Sequence, residues 1–161
     1  MDQRLPLLAI VLGIVGLVPF LGCGLAALAP LAVDGGRGAF ALVAYGATVL
    51  SFLGGVHWGF ALADLSGRGD RPRLGLGVAP PLLGWVALLL VPAVNANTGI
   101  GLLAFGFIAT VVVEERARRA GLMPVGYMRL RYGLSAVVVL VLVLVVLLRL
   151  INAHIAMPFT Y

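Results

Sequence analysis

Four side chains in this otherwise apolar sequence have types that could do chemistry: His57, Glu114, Tyr127 and Arg131. A histidine within a membrane can relay protons, hold a quinone headgroup or ligate a metal or haem. A carboxylate beside an arginine can lock an ion pair, and a tyrosine hydroxyl can bridge to it. The structural alternative for His57 is a neutral imidazole hydrogen-bonded across helices, and that is the reading adopted here. Cys23 belongs to the far half of its element, so no metal site is expected. A haem iron would need a second axial partner, and His154 lies beyond the last apolar run. No cofactor is therefore expected. Trp58 and Trp85 could contact a ligand ring, or could pack as interfacial aromatics. The sequence has no nucleophile elbow, phosphate-cradling glycine loop or HExxH. Asp34 to Gly38 is a turn too short to hold phosphates, and no enzymatic activity is expected.

Whether the four residues meet depends on the elements that carry them, and composition restricts those sharply. Of 161 residues, 62% are hydrophobic and 11% charged, with a mean hydropathy of +1.14. A soluble domain has about 45–50% apolar and about 25% charged residues. This chain lacks the polar surface to cover a water-soluble globule. Disorder requires low hydrophobicity, and a disulfide scaffold requires more than one cysteine. The net charge of +5 is not a nucleic-acid signal without a soluble body to present it. All eleven basic residues are arginine, which suggests coding bias in a GC-rich bacterial genome. The expected class is all-α, a polytopic integral membrane protein.

A helix needs roughly 20 mostly apolar residues to cross the hydrocarbon. Five such stretches are present, at about residues 6–29, 39–63, 75–94, 98–115 and 133–151, and residues 1–161 are expected to form one transmembrane domain. Pro19 should kink the first span, and Pro80-Pro81 the third. A cleaved signal peptide ending at Ala27-Leu28-Ala29 is the rival reading of the first span. Its apolar run is too long for that, and Pro30 would follow the cut. The polar stretches Leu65 to Arg73 and Arg116 to Leu130 should be the long loops. Alternating the five spans puts nine arginines on one side and two on the other. Arginine-rich loops stay inside, so the N-terminus should face the cytoplasm and the C-terminus the outside. Arg149, at the outer end, should snorkel outward.

Span two carries Ala47, Ser51, Gly55, Gly59 and Ala63 at intervals of four. Such a ladder lets another backbone approach closely and is expected to be the helix-packing stripe. His57 then lies on a second face with Gly46, Gly54, Ala61 and Asp64, so span two should sit centrally and be the most buried. On span four, Gly99, Gly106, Thr110 and Glu114 align. Glu114 should look into the bundle, while Glu115 pairs outward with Arg119. Spans two and four both run inward, and span five begins at the same depth. His57, Glu114, Tyr127 and Arg131 should therefore converge near the cytoplasmic boundary, where pairing avoids a cost of at least ~2.5–3.5 kcal/mol per unpaired charge. A dry, paired cluster would be a clasp; one open to water could exchange protons.

Tyr45-Gly46-Ala47 followed by Ser51-Phe52-Leu53-Gly54-Gly55-Val56-His57-Trp58-Gly59 resembles the signature of an uncharacterised membrane family, domain of unknown function 3429. An animal mitochondrial transmembrane protein belongs to that family. Pro81 and Trp85 fit its third span, and Gly121 to Pro124, Tyr127 and Leu130-Arg131 fit its fourth loop. The chain departs from the pattern at Gly126, where the family would have tryptophan. The resemblance implies a five-helix inner-membrane bundle and carries no activity with it. The expected function is that of a non-catalytic protein of the bacterial cytoplasmic (inner) membrane. Its role would be structural, or that of an accessory or assembly factor in a larger membrane complex. Its partners would be the lipid bilayer and such a complex, or a second copy, and not nucleic acid. The alternative is a small transporter or ligand-binding protein using a polar site at His57.

Overall fold

The computed structural model describes residues 7–29, 35–63, 70–121 and 125–156. Among them are six helices: α1 (Leu7–Val15), α2 (Val18–Ala27), α3 (Gly35–Ala63), α4 (Asp70–Ala93), α5 (Ala96–Arg119) and α6 (Val125–Ala156). Taken with α1 and α2 as one span, five stretches are long and apolar enough to cross a membrane. The chain is a multi-span helical membrane protein. Of the turn expected over Asp34 to Gly38, Gly35 to Gly38 instead form the first turn of α3; Asp34, the loop at 64–69, Pro30, Pro124 and the arginines at positions 4 and 68 lie outside the described residues.

Each junction has a local cause. Pro19 cannot donate to the carbonyl four residues back, and the first span breaks at Gly16-Leu17. The Tyr45 hydroxyl of α3 donates to the Gly16 carbonyl at 2.8 Å, tying the break to the bundle. The Asn95 side chain accepts from the Thr98 backbone N–H at 2.9 Å and so caps α5. At the other end of α5, Gly121 takes φ +74°, the left-handed conformation that glycine supplies after a helix C-terminus. The anticipated loop from Arg116 to Leu130 is mostly helix. Arginines beyond the hydrocarbon can keep donating along the helix, so α5 continues to Arg119 and α6 begins by Val125. Likewise α4 starts at Asp70, within the stretch read as loop. Pro80 and Pro81 lie inside α4.

The core lies where α2, α3, α5 and α6 meet. Phe20 packs edge-on against both Tyr45 and Phe107, with ring centroids 5.0 and 5.9 Å apart. Leu42, Leu50, Ile100, Leu103 and Leu142 close around them with no exposed surface. The α3 span has the largest buried share of the five, 44%, so its central position is as expected. Its packing stripe is not. Of Ala47, Ser51, Gly55, Gly59 and Ala63, only Ala47 is buried, and a side chain added at Gly55 or Gly59 would meet nothing within 4 Å.

The close approach uses the other phase. A Cβ at Gly84 would stand 2.9 Å from the Ala47 Cα, and one at Gly54 would collide with the Gly77 carbonyl and the Pro81 ring. Ala47 and Gly54, seven residues apart on α3, lie against Gly84 and Gly77 on α4. An antiparallel pair meeting along a straight seam repeats near seven residues, because two helical turns take about 7.2. A ladder of fours drifts around the helix and off the seam.

Candidate functional site

Glu114 is fully buried on α5. Its neighbours on that face are Gly106 and Thr110, also buried, the latter donating its hydroxyl to the Gly106 carbonyl at 2.6 Å. Arg131, on the second turn of α6, donates from Nε to Glu114 Oε2 at 2.7 Å. Its Nη1 donates to Ser135 Oγ at 2.5 Å, one helical turn further on. The Tyr127 hydroxyl donates to Glu114 Oε1 at 3.3 Å; its ring is held edge-on by Phe60 at 5.6 Å. His57 Nε2 of α3 lies 3.4 Å from Glu114 Oε1.

The structure thus brings all four candidate residues into one cluster spanning α3, α5 and α6. Tyr127 and Arg131 both lie on α6, four residues apart and one turn above each other. Ser135 completes the arginine's shell and escaped the sequence reading, although its i+4 spacing from Arg131 was a usable signal.

The cluster is largely buried, and its fixed charges balance. One carboxylate faces one guanidinium, and a buried pair of this kind is strongly destabilised by losing either partner. The second imidazole nitrogen of His57, Nδ1, is also buried. That Nδ1 and Arg131 Nη2 are the two buried side-chain atoms without a hydrogen-bond partner among the described residues. An unmet buried polar atom costs about 1–3 kcal/mol.

Beside His57 is a cavity of about 70 Å³, walled by Leu76, Pro80 and Leu83 of α4 and by Thr110 and Val113 of α5. Neither Trp58 nor Trp85 lines it. Trp58 is half exposed, and its indole N–H donates to the Leu74 carbonyl at 3.1 Å; its ring covers Gly77. Trp85 is exposed. The two tryptophans therefore lie apart from the space in which a ligand was to stack.

Glu115 faces the other way. It accepts from Arg118 Nε at 2.6 Å and from Arg119 Nε at 2.8 Å, and the Tyr132 hydroxyl also donates to it. The Arg119 contact is the expected i+4 pair; Arg118 and Tyr132 extend it into a surface network.

Arg149 overturns its expected outward course. It turns across the opposite end of the bundle, donating to Asn97 Oδ1 at 2.9 Å, the Ala27 carbonyl at 2.6 Å and the Gly35 carbonyl at 3.2 Å. Ala27 ends α2, where carbonyls lack intrahelical partners, and supplying one outweighs an excursion toward water. Arg131 and Arg149 stand eighteen residues apart on α6, about 27 Å at ~1.5 Å per residue. Two polar ties therefore bracket an apolar slab close to a bilayer core of ~30 Å.

The chain is 45% identical to transmembrane protein 69 of Xenopus tropicalis over 87 residues, which is 50% of this chain and 32% of that one. It is 41% identical to transmembrane protein 69 of Mus musculus over 58 residues, 35% of this chain and 24% of the relative. The matched stretch is less than a third of either relative's length. No solved structure matches. With five apolar spans and the His57 segment at their centre, and a match that runs over residues 5–147, the chain belongs to the family described as protein of unknown function DUF3429.

Proposed function

We propose that this is a non-catalytic membrane protein with a structural role, an accessory or assembly component of a larger membrane complex. The observation that carries this reading is the use made of Glu114. The fully buried carboxylate is spent on Arg131, Tyr127 and His57, and clasps three helices together. A general acid or base must instead reach a substrate proton. The nine-to-two arginine distribution and the all-arginine composition support a bacterial inner membrane with the N-terminus and arginine-rich loops in the cytoplasm. Purification of the tagged full chain in native lipid nanodiscs tests the proposal. A stoichiometric partner complex is expected, and recovery of this chain alone would overturn the accessory role. Reporter fusions at the C-terminus should read outside.

The cavity beside His57 favours a second reading, a small transporter or ligand-binding protein. A transport pathway must open to water at some stage. Thr110→Cys should then react with a membrane-impermeant maleimide from the cytoplasmic side. Under the clasp reading it stays unlabelled.

A further inference from the structure

Helical phase gathers the exposed arginines of α5 and α6 onto one surface. The Tyr132 hydroxyl donates to Glu115, and that contact marks one outer flank of the helix pair. Arg118 and Arg119 follow Glu115 by three and four residues and share its face, while Arg129 precedes Tyr132 by three and shares that one. Arg116, the residue after Glu115 and about 100° further round, is exposed as well. Four guanidinium groups thus stand on this flank against the single carboxylate of Glu115, since Glu114 and Arg131 cancel one another inside. That carboxylate is largely spent on Arg118, which grips it through Nε and Nη2. It holds Arg119 by Nε alone, and the Arg119 side chain is 75% exposed. Arg116 and Arg129, both exposed, have no side-chain partner among the described residues.

Depth says what this charge meets. Arg116 to Arg119 lie two to five residues past Glu114, about 3–8 Å beyond the apolar slab at ~1.5 Å per residue. A headgroup layer has that thickness, because ~30 Å of hydrocarbon sits within ~40–45 Å of bilayer. Further in, the same flank is apolar and open. Val112 and Ile108, three and seven residues before Glu115, are exposed, and so is Leu140, eight residues after Tyr132.

We infer that this flank binds an anionic phospholipid. The unspent guanidinium groups of Arg116, Arg119 and Arg129 engage its phosphate, and its acyl chains lie along Ile108, Val112 and Leu140. Arginine suits the first task, because its planar fork matches phosphate oxygens. A lipid uses both halves of the surface. A free phosphate would use only the cations, and an acidic protein segment would leave the apolar strip unmatched. The lipid site depends neither on the clasp nor on the accessory role.

Native mass spectrometry of the full chain in neutral detergent micelles tests it. The probes are phosphatidylglycerol and phosphatidylcholine with the same acyl chains, the second carrying an ammonium that offsets its phosphate. Phosphatidylglycerol should add saturably and at least about five-fold more tightly, the factor one surface arginine contributes. Arg116→Gln and Arg129→Gln should each lower that preference by about the same factor. Glu115→Gln removes the flank's one acid and should raise it, a change of sign that a purely structural network does not give. Glycerol phosphate, a head without chains, should not displace the lipid at equal concentration. Circular dichroism checks that each variant folds, and the sign of the Glu115→Gln effect stands even if an arginine variant does not. Equal affinity for the two lipids, a preference untouched by both arginine variants, or a weaker preference in Glu115→Gln would overturn the site. Displacement by glycerol phosphate would reduce it to an anion site. If the two lipids bind alike while the arginine variants lose a protein partner from nanodisc preparations, the flank serves an acidic protein surface and the lipid site is overturned.

Discussion

Glu114 and Glu115 are neighbours in sequence and opposites in environment. One residue of α-helix is a turn of about 100°, enough to send the first carboxylate into the bundle and the second to its surface. Glu114 has no exposed side-chain area, and Glu115 keeps 20%. The buried one meets a single guanidinium from another helix; the outer one gathers Arg118 and Arg119 from its own. Water and salt can replace the outer pairs, and nothing can replace the inner one. Gly54 and Gly55 make the same contrast in packing. Gly54 lies against the α4 backbone at Gly77, and Gly55 faces open space. Charge and size alike are decided by helical phase, and sequence proximity says nothing about consequence.

The largest effect should come from Glu114→Ala, which strands Arg131 in the interior. A loss of about 3–5 kcal/mol is expected for a broken buried pair, read by equilibrium unfolding in mixed micelles. Removing both charges with Glu114→Leu and Arg131→Met should recover most of that loss. If the double variant is no better than the single one, the cost was never that of an unpaired charge.

Gly54→Leu should come next, at about 1–3 kcal/mol for overpacking, seen as a lower Tm. Gly55→Leu should leave Tm unchanged, which corrects the earlier expectation that Gly55 packs. Equal damage at both positions would show that the outward face of α3 is covered in the membrane after all. Tyr127→Phe removes only a 3.3 Å hydrogen bond, with an expected cost of about 0.5–1 kcal/mol by the same unfolding measurement. Glu115→Gln should be smallest, with no resolvable change in Tm at physiological salt. A Glu115 variant as damaging as Glu114→Ala would erase the distinction between the two sites.

Much of this was legible before any coordinates. Hydrocarbon thickness and runs of about 20 apolar residues define five spans, and 100° per residue separates Glu114 from Glu115 whatever surrounds them. The convergence of His57, Glu114, Tyr127 and Arg131 also follows, because alternating spans of known length put their polar residues at matching depths. Unpaired charge at that depth is costly enough to drive pairing.

What only the tertiary structure decided is which side of each helix meets a neighbour. Helix α3 carries two small-residue faces, and lipid and protein are both apolar, so residue type cannot tell them apart. The choice fell to the seven-residue seam of Ala47 and Gly54 on Gly84 and Gly77, a property of two helices at once. Arg149 turned inward for a similar reason: its acceptors come from α2, α3 and the first turn of α5, brought together by the bundle. The cavity at His57 is likewise a remainder between three helices, and no single stretch of sequence encodes a space. Helical phase and hydrophobic length are local and can be read residue by residue, whereas pairing between faces is a joint property that exists only once the helices are packed.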